Sequence, residues 1–173
     1  MSGHDIHVRE VGLRDGLQML KGIVPTEVKL QWLRQEAAAG VAAFEVTSFV
    51  SKSRMPQFAD AEEMAAAARG IPGIEAAALA LNERGAKRAI EAGVTSLIFV
   101  LSASMAHSQS NAGRGTDAAL AEFEAVVRQA RAVPAERRPR ILAGVATAFG
   151  CTLEGAIAPS RVRHLASRMA EIG

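Results

Sequence analysis

The sequence has few of the features that mark exported or membrane-spanning proteins. It contains one cysteine, Cys151, so no internal disulfide can form, and this sparing use of cysteine fits a reducing compartment. No uninterrupted apolar run approaches the ~18 residues that a membrane span needs. The opening MSGHDIHV lacks the basic-then-apolar pattern of a signal peptide. We therefore expect a cytoplasmic protein without a membrane partner.

The sequence also has little excess of charge and few aromatic residues. Lysine and arginine number 20 against 18 aspartates and glutamates, a formal net charge of +2, and only 4% of residues are aromatic. Three arginines, Arg137, Arg138 and Arg140, cluster around two prolines without interleaved aromatic side chains. We interpret this cluster as a solvated loop and expect no nucleic-acid partner.

What the chain does contain is a regular alternation of short apolar runs and longer alanine-rich helical patterns. This alternation predicts repeated β-α units around a parallel sheet, an α/β fold. With 173 residues, 49% of them hydrophobic, and no linker or shift in composition, the chain is predicted to form one unit over 1–173. The predicted strands are 6–12, 42–48, 74–81, 95–102 and 140–147, and the predicted helices lie near 26–39, 59–69, 83–92, 116–132 and 159–172.

About five β-α units fit this pattern, whereas a closed (β/α)₈ barrel usually takes about 250 residues. The closing HLASRMAEIG completes a helix where a sixth strand would be expected to follow. We therefore expect an incomplete barrel with an open parallel edge. Such an edge predicts association, either with the remaining barrel portion or with another copy of the chain.

Polar residues follow each predicted strand, and in parallel β-α folds ligands bind at the carboxyl ends of the strands. This rule predicts that the candidate site residues gather at one edge of the sheet. They are Arg14, Asp15 and Gln18 after the first strand, Glu45, Thr47 and Ser48 at the second, Asn82 after the third, Ser102, Ser104, His107 and Asn111 after the fourth, and Thr147, Cys151 and Glu154 after the fifth.

Arg14 and Asp15 make the most informative pair among these residues. Aspartate is a hard oxygen ligand suited to Mg²⁺ or Mn²⁺, and a neighbouring arginine could hold a carboxylate or stabilise an oxyanion. The alternative is an Asp-Gly turn beside a surface arginine. Glu45 lies within an apolar run, where an ionised carboxylate needs a partner such as Arg14. The alternative here is a glutamate that faces outward.

The segment SASMAHSQSNAGRG after the fourth strand is longer and more polar than a minimal connection. We expect it to be a loop that closes over a ligand. His107 within it receives no role from spacing alone. Cys151, as a single cysteine, is interpreted as a small buried apolar residue rather than a reactive thiol.

Four segments together resemble one enzyme family. VREVGLRDGLQ is similar to the first strand and loop of the 3-hydroxy-3-methylglutaryl-CoA lyases, which belong to the DRE-TIM metallolyase superfamily. FEVTSFVS with the following MPQFAD, then SASMAHSQSNAG, then AFGCTLEG match further segments of these lyases in order. The resemblance spans almost the whole chain and implies the TIM (β/α)₈ barrel fold.

The resemblance also implies roles for individual residues. Asp15 would be a ligand of a divalent cation, Mg²⁺ or Mn²⁺, and Arg14 would bind the acyl-CoA substrate and stabilise the enolate. Glu45 would pair with Arg14 and orient it. Further contacts to the substrate would come from Gln18, Ser48 and Asn111.

The implied reaction is cleavage of (S)-3-hydroxy-3-methylglutaryl-CoA to acetyl-CoA and acetoacetate, the last step of leucine breakdown. The lyases take further metal ligands from a His-x-His motif on strand 6 and an asparagine near strand 7, and a catalytic cysteine from a later loop. None of these is present in this chain, and Cys151 matches a different cysteine. We therefore expect weak or no activity from the chain alone.

Two alternatives stay open at this point. The chain could derive from a related enzyme that acts on another 3-hydroxyacyl-CoA, either a lyase or a condensing synthase. His107 stands where the lyases commonly have an aromatic residue, and SKSRMPQ departs from their usual pattern, so the acyl specificity is open. The second alternative is a truncated, non-catalytic assembly module.

Overall fold

The computed structural model describes residues 6–173, so the first five residues of the predicted unit lie outside the described part. Four strands alternate with helices along the chain, as the periodicity predicts. The strands are β1 (Ala43–Ser48), β2 (Glu75–Leu79), β3 (Ser96–Ser102) and β4 (Arg140–Ala146). The helices are α1 (Thr26–Ala38), α2 (Ala61–Arg69), α3 (Glu83–Ala92), α4 (Met105–Ala112), α5 (Thr116–Arg131) and α6 (Pro159–Ile172).

The four strands form one parallel sheet in the order β1-β2-β3-β4. Neighbours in sequence are therefore neighbours in space, which is the strand order of a barrel segment rather than of a doubly wound sheet. β3 and β4 pair along their full length, from Ser96 opposite Arg140 to Ser102 opposite Ala146. All four carboxyl ends consequently meet at one edge.

Strand residues alternate between two faces, and each face has its own apolar cluster. One face packs against the helices and forms the main core, where Leu97, Phe99 and Leu101 of β3 meet residues of α3, α5 and α6. The opposite face carries a smaller cluster around Leu79 and Ile98. This second face is the inner face of the barrel segment, and it leads to the candidate site.

Two helix boundaries follow the expected local chemistry. The Asn82 side chain accepts a hydrogen bond from the Gly85 backbone N–H at 2.8 Å and caps α3. At the other end of α3, Gly93 adopts φ +83°, a left-handed conformation that side chains rarely tolerate. Among the described residues, none of the helices combines the length and apolar character needed to cross a membrane.

The predicted first strand, 6–12, is wrong as a strand. Only Glu10 pairs with β1: its N–H donates to the Ala43 carbonyl and its carbonyl accepts from the Glu45 N–H, both at 2.8 Å. The chain then winds into a single π-helical turn, Gly12–Gly16. Because the Val11 carbonyl is engaged by this turn, it is no longer available to extend the sheet.

The predicted loop after β3 is also wrong, because it contains the helix α4. Ser104 provides the start signal: its hydroxyl accepts a hydrogen bond from the His107 backbone N–H at 3.0 Å. Gly113 ends the helix at φ +69°. The polar residues of this segment are therefore fixed on a helix rather than spread along a mobile loop.

Candidate active site

A cavity of about 400 Å³ lies at the carboxyl edge of the sheet. Its floor is the inner face of the sheet, represented by Leu79 and Val100. Met55 and Phe58 contribute a further apolar wall. The cavity is also lined by four of the six residues to which the family resemblance assigns roles: Arg14, Gln18, Ser48 and Asn111.

A β-bulge in β1 places two of the candidate residues on this inner face. Glu45 lies opposite Ala77 of β2, but the register then shifts, so that Ser48 lies opposite Leu79. Ala77 and Leu79 both belong to the inner cluster. Without the bulge, residues three positions apart would face opposite sides of the sheet. The bulge therefore allows Glu45 and Ser48 to serve the same cavity.

Glu45 forms a buried ion pair with Arg14. The Arg14 Nε and Nη2 atoms both approach Glu45 Oε2 at 2.5 Å, and only 11% of the Glu45 side chain is exposed. The outward-facing alternative for this glutamate is thus excluded. Because Nε and Nη2 are both engaged, the guanidinium plane is fixed in orientation at the cavity wall.

Asp15 lies beside this pair but outside the cavity lining. Its Oδ1 atom accepts a hydrogen bond from Arg14 Nη1 at 2.7 Å, and 59% of its side chain is exposed. Arg14 therefore connects a buried carboxylate with an exposed one. The surface-arginine alternative does not fit this arrangement, since only 17% of the Arg14 side chain is exposed.

Ser48 presents a buried hydroxyl group to the cavity. The side chain is only 1% exposed, and its Oγ atom has no hydrogen-bond partner among the described residues. Buried hydroxyl groups are normally paired. An unpaired hydroxyl on a cavity wall is consistent with a site that binds a polar ligand.

The sequence reasoning missed the contacts that hold α4 against the cavity. The Ser104 hydroxyl donates to Glu154 Oε2 at 2.7 Å, and Arg161 donates to Glu154 Oε1 at 2.6 Å. The Ser104 hydrogen bond and the Arg161 guanidinium lower the pKa of the Glu154 carboxyl to about 2. Asn111 on α4 is positioned at the cavity through this connection. No local sequence pattern indicates the hydrogen bond between Ser104 and Glu154, because the two residues lie 50 positions apart.

A second missed connection fixes the segment that carries Met55 and Phe58. Lys29 of α1 is only 2% exposed, and its Nζ atom donates to the Gln57 carbonyl at 2.5 Å and to Asp60 Oδ2 at 2.9 Å. The Gln57 side chain in turn donates to the Leu20 carbonyl at 2.7 Å. The apolar wall is therefore tied to the segments on either side of it.

Comparison with known protein families gives a match over nearly the whole chain. The family model described as HMGL-like matches residues 5–173. The chain belongs to the HMGL-like family. Its relatives include cytoplasmic 3-hydroxy-3-methylglutaryl-CoA lyases of Rattus norvegicus and Danio rerio, which are 34% and 36% identical over 168 residues. The alignment covers 97% of this chain and 48% and 49% of these relatives, so the chain spans about half their length.

Solved structures agree with this assignment. A lyase from Acinetobacter baumannii in complex with coenzyme A and 3-methylmalate is 34% identical, with a TM-score of 0.86 over 95% of this chain and 52% of that one. The Bacillus subtilis lyase is 32% identical, with a TM-score of 0.88 over 95% and 54%. The HMGL-like chain thus has the fold of the N-terminal part of a TIM-barrel lyase, which confirms the predicted partial barrel.

The HMGL-like family depends on a divalent metal, so the donor set of this chain is informative. Asp15 offers an exposed carboxylate, the kind of oxygen ligand that such cations prefer. Among residues 6–173, however, no three His, Cys, Asp or Glu side chains come together in a group that could hold a metal. Within residues 6–173, Asp15 therefore fits one position in a coordination sphere, and the other ligands would have to come from groups outside this set of residues.

Cys151 does not line the cavity. It is partly buried and packs against the main core. This position resembles the small, buried apolar residue that the sequence predicts, except that burial is incomplete. A hydrogen bond with the Ser104 side chain is the largest influence on its thiol and lowers its pKa. No part of the site's geometry uses this thiol.

Proposed function

We propose that this HMGL-like chain carries part of the active site of a metal-dependent carbon-carbon lyase. The proposed reaction is cleavage of (S)-3-hydroxy-3-methylglutaryl-CoA to acetyl-CoA and acetoacetate, in leucine degradation in the cytoplasm. One observation carries the proposal. Arg14, fixed by the buried Glu45 and adjacent to Asp15, lies on a cavity that Gln18, Ser48 and Asn111 also line.

In this reaction the tertiary hydroxyl gives its proton to a base, and the carbon-carbon bond breaks as the ketone of acetoacetate forms. The electron pair of that bond stays on the other fragment as an enolate, which takes up a proton to give acetyl-CoA. Arg14 stabilises the negative charge of that enolate, and Glu45 holds the guanidinium in place beforehand, so little reorganisation is needed during the reaction. The proposed catalytic residues are therefore Arg14, which contacts the reacting atoms, and Glu45, which orients it.

Asp15 is the proposed metal ligand in this chain. When bound, Mg²⁺ or Mn²⁺ would supply Lewis-acid stabilisation of substrate oxygens. The Arg14 hydrogen bond to Asp15 Oδ1 leaves the second carboxylate oxygen for the cation. This arrangement keeps a positive guanidinium and a metal ligand on the same side of the cavity.

The remaining residues are proposed to position the acyl-CoA. Gln18, Ser48 and Asn111 provide amide and hydroxyl groups at the cavity wall, and the free Ser48 hydroxyl is the most deeply buried of them. Met55 and Phe58 provide apolar surface for the methyl group of the substrate. The bound coenzyme A in the Acinetobacter baumannii relative is consistent with an acyl-CoA ligand.

We infer weak or no turnover for this chain alone, since residues 6–173 contain no group of three His, Cys, Asp or Glu side chains that could hold a metal, and Asp15 offers one exposed carboxylate. Association with a polypeptide that supplies the rest of the barrel, or with a second copy, would complete the site. The same observation favours a second candidate function, a non-catalytic assembly module. A third candidate function is that of a related lyase or synthase that acts on another 3-hydroxyacyl-CoA. An assay of several acyl-CoA thioesters would distinguish it from the proposed lyase.

Acetoacetate release from 3-hydroxy-3-methylglutaryl-CoA tests the proposal directly. The purified chain is assayed with Mg²⁺ or Mn²⁺ beside Arg14→Gln and Asp15→Asn, with Arg163→Gln in the exposed part of α6 as the matched control. Turnover that is lost in both site variants and kept in the control supports the lyase. Binding that needs Arg14 but gives no turnover supports a partial lyase site, absence of binding favours the assembly module, and release that is indifferent to Arg14 contradicts the proposal.

A further inference from the structure

A hydrogen bond joins the end of β3 to the first turn of α4. The Ser102 Oγ and His107 Nδ1 atoms lie 2.6 Å apart, and Ser102 is only 4% exposed. Within residues 6–173 the Ser102 hydroxyl makes no other hydrogen bond. A buried hydroxyl that failed to donate would be left unpaired at a cost in free energy. The favoured arrangement is therefore donation from Ser102 to Nδ1.

This arrangement fixes the proton on the histidine ring. A neutral imidazole that accepts at Nδ1 carries its proton at Nε2. His107 consequently offers an N–H donor at the far side of the ring. The hydrogen bond from Ser102 therefore orients the His107 ring as a hydrogen-bond donor.

Two independent periodicities put Ser102 and His107 on the faces of β3 and α4 that border the cavity. Val100 lines the cavity, and Ser102 is two positions further along β3, so both belong to the same face of the sheet. Ser110 and Asn111 also line the cavity, and His107 precedes them by three and four positions on α4. Residues at these spacings share one face of a helix.

We propose that the Ser102–His107 pair is a specificity-determining element of the cavity that selects acyl groups carrying a carboxylate. The Nε2–H donor recognises a carboxylate oxygen on the acyl chain, whereas an alkyl group at that position would leave the donor unpaired. This inference rests on the proposed function of the cavity as an acyl-CoA site, and it deepens that proposal by naming the residues that recognise the carboxylate of the acyl chain.

Two thioesters that differ in this one feature provide the test. 3-Hydroxy-3-methylglutaryl-CoA carries the carboxylate, and 3-hydroxy-3-methylpentanoyl-CoA has a methyl group in its place. Calorimetric titration of the whole chain should show preference for the first, and His107→Phe should reduce that preference roughly tenfold or more, as expected for a hydrogen bond to a charged group. His107→Gln keeps an N–H donor and should restore part of the preference. His164→Gln, an exposed histidine of α6, is the matched control.

A second measurement does not depend on the His107 variants folding. Proton–nitrogen correlation spectra of the histidine rings should show the proton of His107 on Nε2, and Ser102→Ala should release this constraint. Adding the carboxylate thioester should shift the Nε2 resonance more than adding the methyl analogue. A proton on Nδ1 in the unmodified chain would overturn the proposal.

The outcomes separate this inference from the proposed function. If neither thioester binds, the acyl-CoA function of the cavity is wrong and the selectivity falls with it. If both bind and His107→Phe weakens them equally or not at all, the cavity function stands and the selectivity proposal alone is overturned. A loss confined to the carboxylate thioester supports it.

Discussion

Replacing Glu45 by glutamine should measure how strongly the buried ion pair holds Arg14. Glutamine has nearly the same volume as glutamate, so the packing around β1 is kept while the negative charge is lost. The Arg14 side chain is only 17% exposed and would keep a single carboxylate partner, the exposed Asp15 at 2.7 Å. The variant therefore leaves a cation partly buried and less well paired.

The magnitude follows from the surroundings of the pair. A hydrogen bond to a charged group contributes about 1.5–3 kcal/mol, and removing one partner of a fully buried pair costs about 3–5 kcal/mol. Because Asp15 remains and the glutamine carbonyl of Glu45→Gln still accepts one hydrogen bond, the lower range applies. We expect the free energy of unfolding to fall by about 2 kcal/mol, or a decrease in Tm of roughly 4–8 °C for a chain of this size.

Urea unfolding followed by circular dichroism at pH 7 measures this loss. Glu171→Gln is the matched control, since Glu171 pairs with Arg168 at 3.2 Å on α6 and its side chain is 63% exposed. The control should change stability by less than about 0.5 kcal/mol. If Glu45→Gln were as stable as the control, the ion pair would not be fixing Arg14, and the reasoning about a preoriented guanidinium would be refuted.

Three further predictions concern the scaffold of the site. Lys29→Met leaves the Asp60 carboxylate without its buried partner and should cost about 3–5 kcal/mol in chemical denaturation. Gly85→Ala should lower the unfolding free energy by about 1–3 kcal/mol, since its Cβ would lie 2.5 Å from the Phe49 carbonyl oxygen. The Glu154 carboxyl has a pKa of about 2 in the folded chain, below its ordinary 4.5, so its stabilising effect is present above about pH 4.5 and is lost as the pH falls toward 2.

Two of these predictions have a matched control, and the third has a variant that removes the titrating group. Lys87→Met removes an exposed lysine, and Gly22→Ala adds a methyl group where no atom lies within 4 Å, so both should be nearly neutral. Glu154→Gln should flatten the acid limb of a plot of urea midpoint against pH. An unchanged acid limb, or losses in the controls equal to those in the variants, would contradict the corresponding contact.

The helical core and most of the sheet are predictable because their signals are local. The predicted strands 95–102 and 140–147 agree with the observed strands to within a residue at either end. The segment 6–12 has the same local pattern but pairs only through Glu10, because strand formation depends on what the partner strand and the next turn permit. The helix α4 is the opposite case, a helix that forms although its local sequence pattern is weak. Its polar sequence is a weak helix signal, and distant Glu154 helps to hold its first turn.

The position of the candidate site at the carboxyl edge of the sheet could be predicted from the rule for parallel strands. That rule gave fourteen candidate residues, and the structure brings four of them, Arg14, Gln18, Ser48 and Asn111, to one cavity. The rule could not foresee the bulge that turns Ser48 toward the same face as Glu45, because no residue in AFEVTS marks a shift of register.

We propose that the cavity beside Arg14 binds the substrate thioester. Calorimetric titration of the chain with 3-hydroxy-3-methylglutaryl-CoA, with and without Mg²⁺, tests it without requiring turnover. We predict saturable binding that weakens roughly tenfold or more in Arg14→Gln, as expected when a charged hydrogen bond to the ligand is lost, and is unchanged in Arg163→Gln. Binding of equal strength in all three proteins, or no binding in any of them, would contradict it.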